Sequence, residues 1–425
     1  MTKKLTIGLF GYGCVGSGLF KVLNQVPNLT IQIKTICVKN KGKTRDIAPS
    51  HFTFDKNQII NDPEINLVVE LIDNAEEAFE IVHAALSNGK AVVTANKKML
   101  AQHFQTLTNL SKEKNAALLY EAAVAGAIPI IRTLEEYYKN DSITRIEGIL
   151  NGTSNLIVSK TQNPKYTYAS ALEEAQKQGF AESNPKLDVE GFDSKFKLCL
   201  LLAHAYGLIV NPEEIVTLGI QNLLPCDSNF AREKNQCIKL IAHASIKEGK
   251  ITAFVVPRLV PPSSLFSEVK NEFNGIQVDS DFTDTQFFIG KGAGHLPTAA
   301  AVLSDISALQ NTYVYPLTKL QKASKLSLHT HAVLRVYLRY VNPETLGQIR
   351  FQTIEQKYQR STHTYVIGKI ALKELLALQL RAHPDVFVAE ISATNLVQKS
   401  LQEDSTHERW DQHSDVFLES IPLLA

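Results

Sequence analysis

The stretch LTIGLFGYGCVGSGLFKVL, residues 5–23, constrains the fold of this 425-residue chain more than any other. An apolar run, Leu5 to Phe10, predicts a β-strand, a GxGxxG turn comes next at Gly11, Gly13 and Gly16, and an apolar-periodic segment then predicts a helix. In that context the first glycine allows a tight turn, the second lets backbone approach a pyrophosphate, and the third lets helix and strand pack closely. The helix N-terminus adds free N–H groups and a positive dipole end for phosphates. The pattern therefore points to a dinucleotide, although a purely structural glycine turn has the same spelling.

The chain beyond this helix repeats the alternation of strand and helix. Strands are expected at Ile31–Val38, Leu67–Leu71, Ala91–Thr94 and Ala117–Tyr120, with helices at Ala75–Asn88 and Met99–Lys114, so residues 1–130 read as an α/β domain around a doubly wound parallel sheet. Residues 131–294 read as α+β: strands at Ile143–Leu150, Ala253–Leu259 and Gln286–Ile289, and helices at Thr167–Gln178 and Phe192–Tyr206. From residue 321 to 425 a small C-terminal α/β module is expected, its first strand marked by Leu334, Val336, Leu338 and Tyr340 alternating with Arg335, Tyr337 and Arg339.

The charge balance, 44 basic against 43 acidic residues, offers no general attraction to nucleic acid or an anionic membrane. The five cysteines, Cys14, Cys37, Cys199, Cys226 and Cys237, are scattered without a CxxC pair, which fits a reducing compartment better than a disulfide or zinc framework. The longest apolar run, Leu198 to Val210, is interrupted by His204 and is too short to span a bilayer. A cytoplasmic small-molecule enzyme is expected.

Three clusters carry candidate chemistry. After the second strand, where NAD-binding domains place an acid for the ribose 2′-hydroxyl, this chain has Val38, Lys39, Asn40, Lys41, with Lys43 and Arg45 behind. Such a basic group suits the 2′-phosphate of NADP, and it equally fits a solvated loop. In GFAESNPKLDVEGFDSKFKLCLLL the carboxylates Glu182, Asp188, Glu190 and Asp193 approach Lys197, and Asp193 and Lys197 share one helical stripe beside an apolar one. Alone, such a pair reads equally as a surface salt bridge. At AVVTANKKML, Asn96 and Lys97 sit at the carboxyl end of a strand, the edge where open α/β sheets bind ligands, though a lysine there can simply be exposed.

Taken together, GYGCVG, VVTANKK, YEAAVAGAIPII, ILNGTSN, GFAESNPKLDVEGFDSKFK and GKGAGHLPTAAAV, in this order between residue 1 and about 310, resemble the homoserine dehydrogenase family. The resemblance implies a Rossmann-type domain at 1–130, to which 295–320 returns, a catalytic and dimerisation domain at 131–294, and an ACT-like regulatory module at 321–425. It implies NAD(P)-dependent interconversion of L-homoserine and L-aspartate 4-semialdehyde in threonine, methionine and isoleucine biosynthesis, by a homodimer or higher homo-oligomer.

Carried over residue by residue, the resemblance makes Lys197 the proton donor, with Lys97 and Asp193 beside it, and gives Glu182, Asp188 and Thr153 to the substrate. Gly11, Gly13, Val15, Gly16, Lys39, Asn74, Lys97 and Gly292 fall at the cofactor, with NADP favoured over NAD by the Lys39 cluster. A structural sodium ion is implied on the backbone carbonyls of Glu121, Val124, Gly126 and Ile128. Ala125 and Ala127 stand where glycines are common, and positive φ there would strain alanine. Phe180 replaces a frequent tyrosine, and the C-terminal module carries Asn342, Pro343 and Glu344 where a ligand-binding loop would have its glycine. Threonine inhibition is therefore not expected.

Overall fold

The computed structural model describes residues 4–26, 30–322, 326–347, 349–360, 362–378 and 383–392. The end of the expected C-terminal module, residues 393–425, lies outside the described residues.

The first sheet contains β1 (Leu5–Phe10), β2 (Ile31–Cys37), β3 (Phe52–Thr53), β4 (Leu67–Glu70), β5 (Ala91–Thr94) and β6 (Leu118–Leu119) in the order β3-β2-β1-β4-β5-β6, with every pairing parallel. Its central strands are buried on both faces, which is why they read as unbroken apolar runs such as LVV and VV. The strand order reverses between β1 and β4, so a crevice opens at their carboxyl ends, the binding edge of such sheets. Gly11 follows β1 at that edge with φ 94°, and a Cβ there would lie 2.5 Å from the carbonyl oxygen of Leu71. The helix His295–Gln310 returns to this sheet and packs on the helix Cys14–Gln25, where Gly18 brings its backbone against the carbonyl of His295.

The second sheet contains β7 (Ile143–Ile149), β8 (Val216–Thr217), β9 (Cys237–Lys247), β10 (Lys250–Val260), β11 (Phe273–Ser280), β12 (Asp284–Lys291), β13 (Ser327–Leu328), β14 (Val333–Tyr340), β15 (Phe351–Gln359), β16 (Thr364–Ala371) and β17 (Phe387–Ile391). Their order is β12-β11-β7-β9-β10-β17-β14-β16-β15, with β8 and β13 also bonded to β10. A two-residue turn joins β9 to β10; Glu248 (φ 51°) and Gly249 (φ 73°) give it the left-handed pair that matches strand twist. The strands after residue 321 do not stand apart, because β17 pairs with β10 through Arg258 opposite Glu390 and Leu259 opposite Ile391.

The helices Ala75–Ser87, Lys97–Glu113, Tyr168–Lys177 and Phe192–Tyr206 lie where periodicity and terminal glycines predict them, within two residues at each end. Among the described residues no helix is long and apolar enough to cross a membrane.

Candidate active site

The helix Phe192–Tyr206 is the bed of the site. It begins after Gly191 (φ 84°) and ends at Gly207 (φ 74°), left-handed positions that suit glycine at both boundaries, and residues 193–206 are all buried. Asp193 and Lys197, one turn apart, therefore cannot be a surface pair: Lys197 Nζ lies 2.7 Å from Asp193 Oδ2 and donates to the carbonyl oxygen of Leu150 at 2.6 Å. Lys97 reaches the same carboxylate from the other sheet. It opens the helix after β5, and its Nζ lies 3.0 Å from Asp193 Oδ1.

Asn151 completes the cluster. Its Nδ2 donates to Asp188 Oδ1 (2.7 Å) and Asp193 Oδ2 (3.0 Å), and its Oδ1 accepts the N–H of Ser154 (2.7 Å), capping the helix Gly152–Thr161. Thr153 donates to the carbonyl oxygen of Phe180 at 2.7 Å, tying that helix to the loop that carries Glu182. Glu182 itself is exposed, and the structure does not bring its carboxylate into the cluster.

Burial works against charge on Asp193, yet the ammonium groups of Lys197 and Lys97 hold its carboxyl well below the usual carboxylate range. Burial pulls Lys197 below the ordinary lysine value, with Lys97 pushing the same way and Asp193 opposing. Lys97, with 39 % of its side chain exposed, is pushed up chiefly by the charge of Asp193. Asp188 is raised by burial and by the neighbouring Asp193. One lysine thus gives up a proton more readily than the other, the division of labour that acid–base chemistry needs.

At the dinucleotide turn, a Cβ on Gly13 would meet nothing within 4 Å, so backbone is open to an incoming group, whereas Gly16 packs against the carbonyl of Gly11. Among the described residues no side chain caps the N-terminus of Cys14–Gln25, where Val15 sits in the first turn, and no acid lies in that turn. These features fit a pyrophosphate. Asn74 follows β4 at the same edge and caps the helix Ala75–Ser87 by accepting the N–H of Glu77 at 2.8 Å. Lys39 is 88 % exposed, 3.7 Å from Glu77.

Gly126 (φ 57°) and Gly292 mark a crossing of two loops: a Cβ on Gly126 would lie 2.5 Å from the carbonyl of Gly292, and one on Gly292 would overlap the side chain of Asn274. Ala125 next to it does adopt the left-handed conformation, φ 55°, whereas Ala127 does not. Within this loop the carbonyl of Glu121 accepts the N–H of Val124 (3.2 Å) and that of Ile128 the N–H of Ile130 (2.8 Å).

Asn151 escapes a reading of the sequence as a site residue because its carboxylate partners lie 37 and 42 positions away. Asn96 is legible beside Lys97 at the strand end, but the partners through which it anchors that helix are not. Asn96 caps that helix through the N–H of Met99 (3.0 Å) and donates to the carbonyl of Ile72 (3.1 Å), beside a buried Thr94–Glu70 hydrogen bond of 2.5 Å.

The family model described as the homoserine dehydrogenase NAD-binding domain matches residues 11–121, and the model described as homoserine dehydrogenase matches residues 129–307. The homoserine dehydrogenase of Bacillus subtilis is 31% identical over 402 residues, 90% of each chain. The chain belongs to the homoserine dehydrogenase family. The Helicobacter pylori homoserine dehydrogenase is 38% identical over 313 residues, 72% of this chain and 74% of its own. Among solved structures, a homoserine dehydrogenase from Thiobacillus denitrificans superposes with a TM-score of 0.77 at 30% identity, covering 92% of this chain and 98% of that one. A hyperthermophilic archaeal homoserine dehydrogenase in complex with NADPH gives a TM-score of 0.64 at 25% identity, covering 74% of this chain and 99% of that one. As a homoserine dehydrogenase, the chain is an NAD(P)-dependent oxidoreductase that interconverts L-homoserine and L-aspartate 4-semialdehyde, a step in threonine, methionine and isoleucine biosynthesis.

Proposed function

We propose that Lys197 moves the proton in this reaction and that Asp193 and Lys97 set its charge. The observation that carries this is the bridge in which one buried carboxylate, Asp193, holds an ammonium from each sheet on separate oxygens. When bound, the nicotinamide supplies the hydride chemistry. In oxidation Lys197 Nζ accepts the homoserine hydroxyl proton as the carbonyl forms; in reduction its ammonium returns that proton to the carbonyl oxygen. Burial lowers Lys197 from the reference of about 10.4, toward the range in which a base works near neutral pH. Lys97 keeps its charge beside Asp193 and polarises the same oxygen. Asp188 and Glu182 take the substrate ammonium, and Thr153 holds the Glu182 loop through the carbonyl of Phe180.

For the cofactor we assign Gly11, Gly13, Val15 and Gly16 to the pyrophosphate, Asn74, Lys97 and Gly292 to the nicotinamide side, and Lys39 to the 2′-phosphate of NADP. The weak, exposed Lys39–Glu77 pair leaves the ammonium available, and the archaeal relative's NADPH complex favours the same cofactor. We assign a structural sodium to the carbonyls of Glu121, Val124, Gly126 and Ile128; the left-handed Ala125–Gly126 pair gives that loop the turn expected where glycines are common. We retain domains at 1–130 with 295–320, 131–294 and 321–425, the last ACT-like. A cytoplasmic location is supported by five free cysteines, and a homodimer or higher assembly by Phe282 (78 % exposed) and Ile289 (56 % exposed) on the β11–β12 hairpin.

The test monitors nicotinamide absorbance with L-homoserine and either cofactor, in wild type, Lys197→Ala and Lys39→Ala. Wild-type turnover lost in Lys197→Ala, and a KM raised for NADP but not NAD in Lys39→Ala, are expected. Near-normal kcat in Lys197→Ala would overturn the proton-transfer assignment.

A further inference from the structure

Away from the lysine cluster, a cavity of about 670 Å³ opens between the C-terminal ends of two helices. The helix Lys97–Glu113 contributes Asn109 and Lys112, the helix Phe192–Tyr206 ends in Gly207 followed by Leu208 and Ile209, and the returning chain contributes Tyr315 and Leu320. These are the helices that carry Lys97, Asp193 and Lys197 toward their other ends. At 1.5 Å per residue the cavity lies roughly 15 to 25 Å along them from the cluster.

Its size falls within the range of small-molecule sites, and its walls combine an apolar floor with a few amides and hydroxyls. Among the described residues Lys112 is the one charged side chain in the lining, and no ion pair engages it. Such a wall would leave a ligand ammonium without a carboxylate, whereas Lys112, in the last turn of its helix, offsets the carbonyl ends of the two helices and can pair one negative charge attached to an apolar body.

Tyr315 gives the cavity a physical route to the chemistry. Its ring packs on those of Tyr120 (centroids 4.9 Å apart) and His204 (5.5 Å), and its hydroxyl accepts the N–H of Tyr120 at 3.3 Å. His204, seven residues beyond Lys197 on the same helix, is fully buried, with Nε2 2.9 Å from Tyr120 Oη and Nδ1 2.6 Å from Glu135 Oε1. A group seated on Tyr315 therefore bears on the buried set that orients the Lys197 helix.

We propose that this cavity is a second ligand site, for an amphiphilic organic anion with an apolar body and one carboxylate or sulfonate, and that its occupation alters turnover through the two lysine-bearing helices. The probe is 1-anilinonaphthalene-8-sulfonate, titrated by fluorescence into the full chain, wild type and the rim variants Lys112→Glu and Ile209→Trp. Saturable binding that NADP and homoserine do not displace, weakened about tenfold or more in both variants, is expected. In the assay the dye should change kcat and leave both KM values unaltered, and that effect should fade in the variants. Binding unchanged by both substitutions, displacement by NADP or homoserine, or saturation without any change in kcat would each overturn the proposal.

Discussion

With one ammonium on each oxygen, Asp193 stays ionised despite its burial, and replacing it acts on both lysines at once. In Asp193→Asn the negative charge that raises Lys197 is gone while Lys97 remains beside it, so the Lys197 ammonium releases its proton at lower pH. On the proposed proton transfer, reduction of the semialdehyde needs that ammonium; the alkaline limb of its kcat profile should move toward lower pH, and an unmoved limb would separate Asp193 from the titration. Lys197→Ala should reduce kcat by about 10²- to 10⁴-fold in both directions, the usual contribution of a positioned acid or base, as measured by steady-state kinetics. At this scale the sequence was informative: the i, i+4 spacing put Asp193 and Lys197 on one stripe, and the strand-end rule put Lys97 at the ligand edge. Neither could show that a single carboxylate joins them, nor that Glu182 would stand exposed, since both depend on how the two sheets face each other.

Elements bounded by glycine were legible almost to the residue, as the helix between Gly191 and Gly207 illustrates. The missed strand β9, CIKLIAHASIK, carries Lys239 and His243 among its apolar residues, which hides its buried character. Lys239 is fully buried and donates to partners distant in sequence, Asn155 Oδ1 at 3.0 Å, the carbonyl of Val269 at 2.6 Å and Ser159 Oγ at 3.4 Å, and burial lowers its pKa to about 8. β15 was missed for the opposite reason, being almost wholly exposed and so free of alternation. The helix Gly152–Thr161 yields a direct prediction. Asn151→Ala removes its cap, so urea unfolding should report a loss of about 1 kcal/mol. Asp188 also loses a donor that favours its ionised form, so the KM for homoserine should rise most at acid pH.

At the scale of the molecule, the sequence suggested a boundary near residue 321, whereas hydrogen bonding carries the second sheet across it from β10 to β17. Arg258 stands at that seam, with Nη1 2.8 Å from Glu147 Oε1 and Nε 2.6 Å from Glu390 Oε2, and all three are buried or nearly so. Arg258→Met leaves Glu390 without its ion-pair partner and Glu147 held by His243 Nδ1 at 2.5 Å, and should cost about 3–5 kcal/mol in chemical denaturation. Buried acids also set the pH response. Burial and the nearby Glu121 push Asp305 from 3.8 up to about 8, and burial pushes Glu70 from 4.5 up to about 7. Folded, these two groups hold protons that the unfolded chain has released, so their contribution to stability falls as pH rises between about 4 and 8, while Asp193 and Glu147, held low, pull the opposite way at the acid end. The melting temperature should decline across that window, and Asp305→Asn should flatten the decline. The lysine helix, buried from residue 193 to 206, fixes the position of the proposed proton-transfer group, while Glu182 rides on an exposed loop held through Thr153. On the proposed assignment of Glu182 to the substrate ammonium, redesign toward other hydroxy amino acids starts at residues 180–184, with Asp188 and the buried lysine helix left in place.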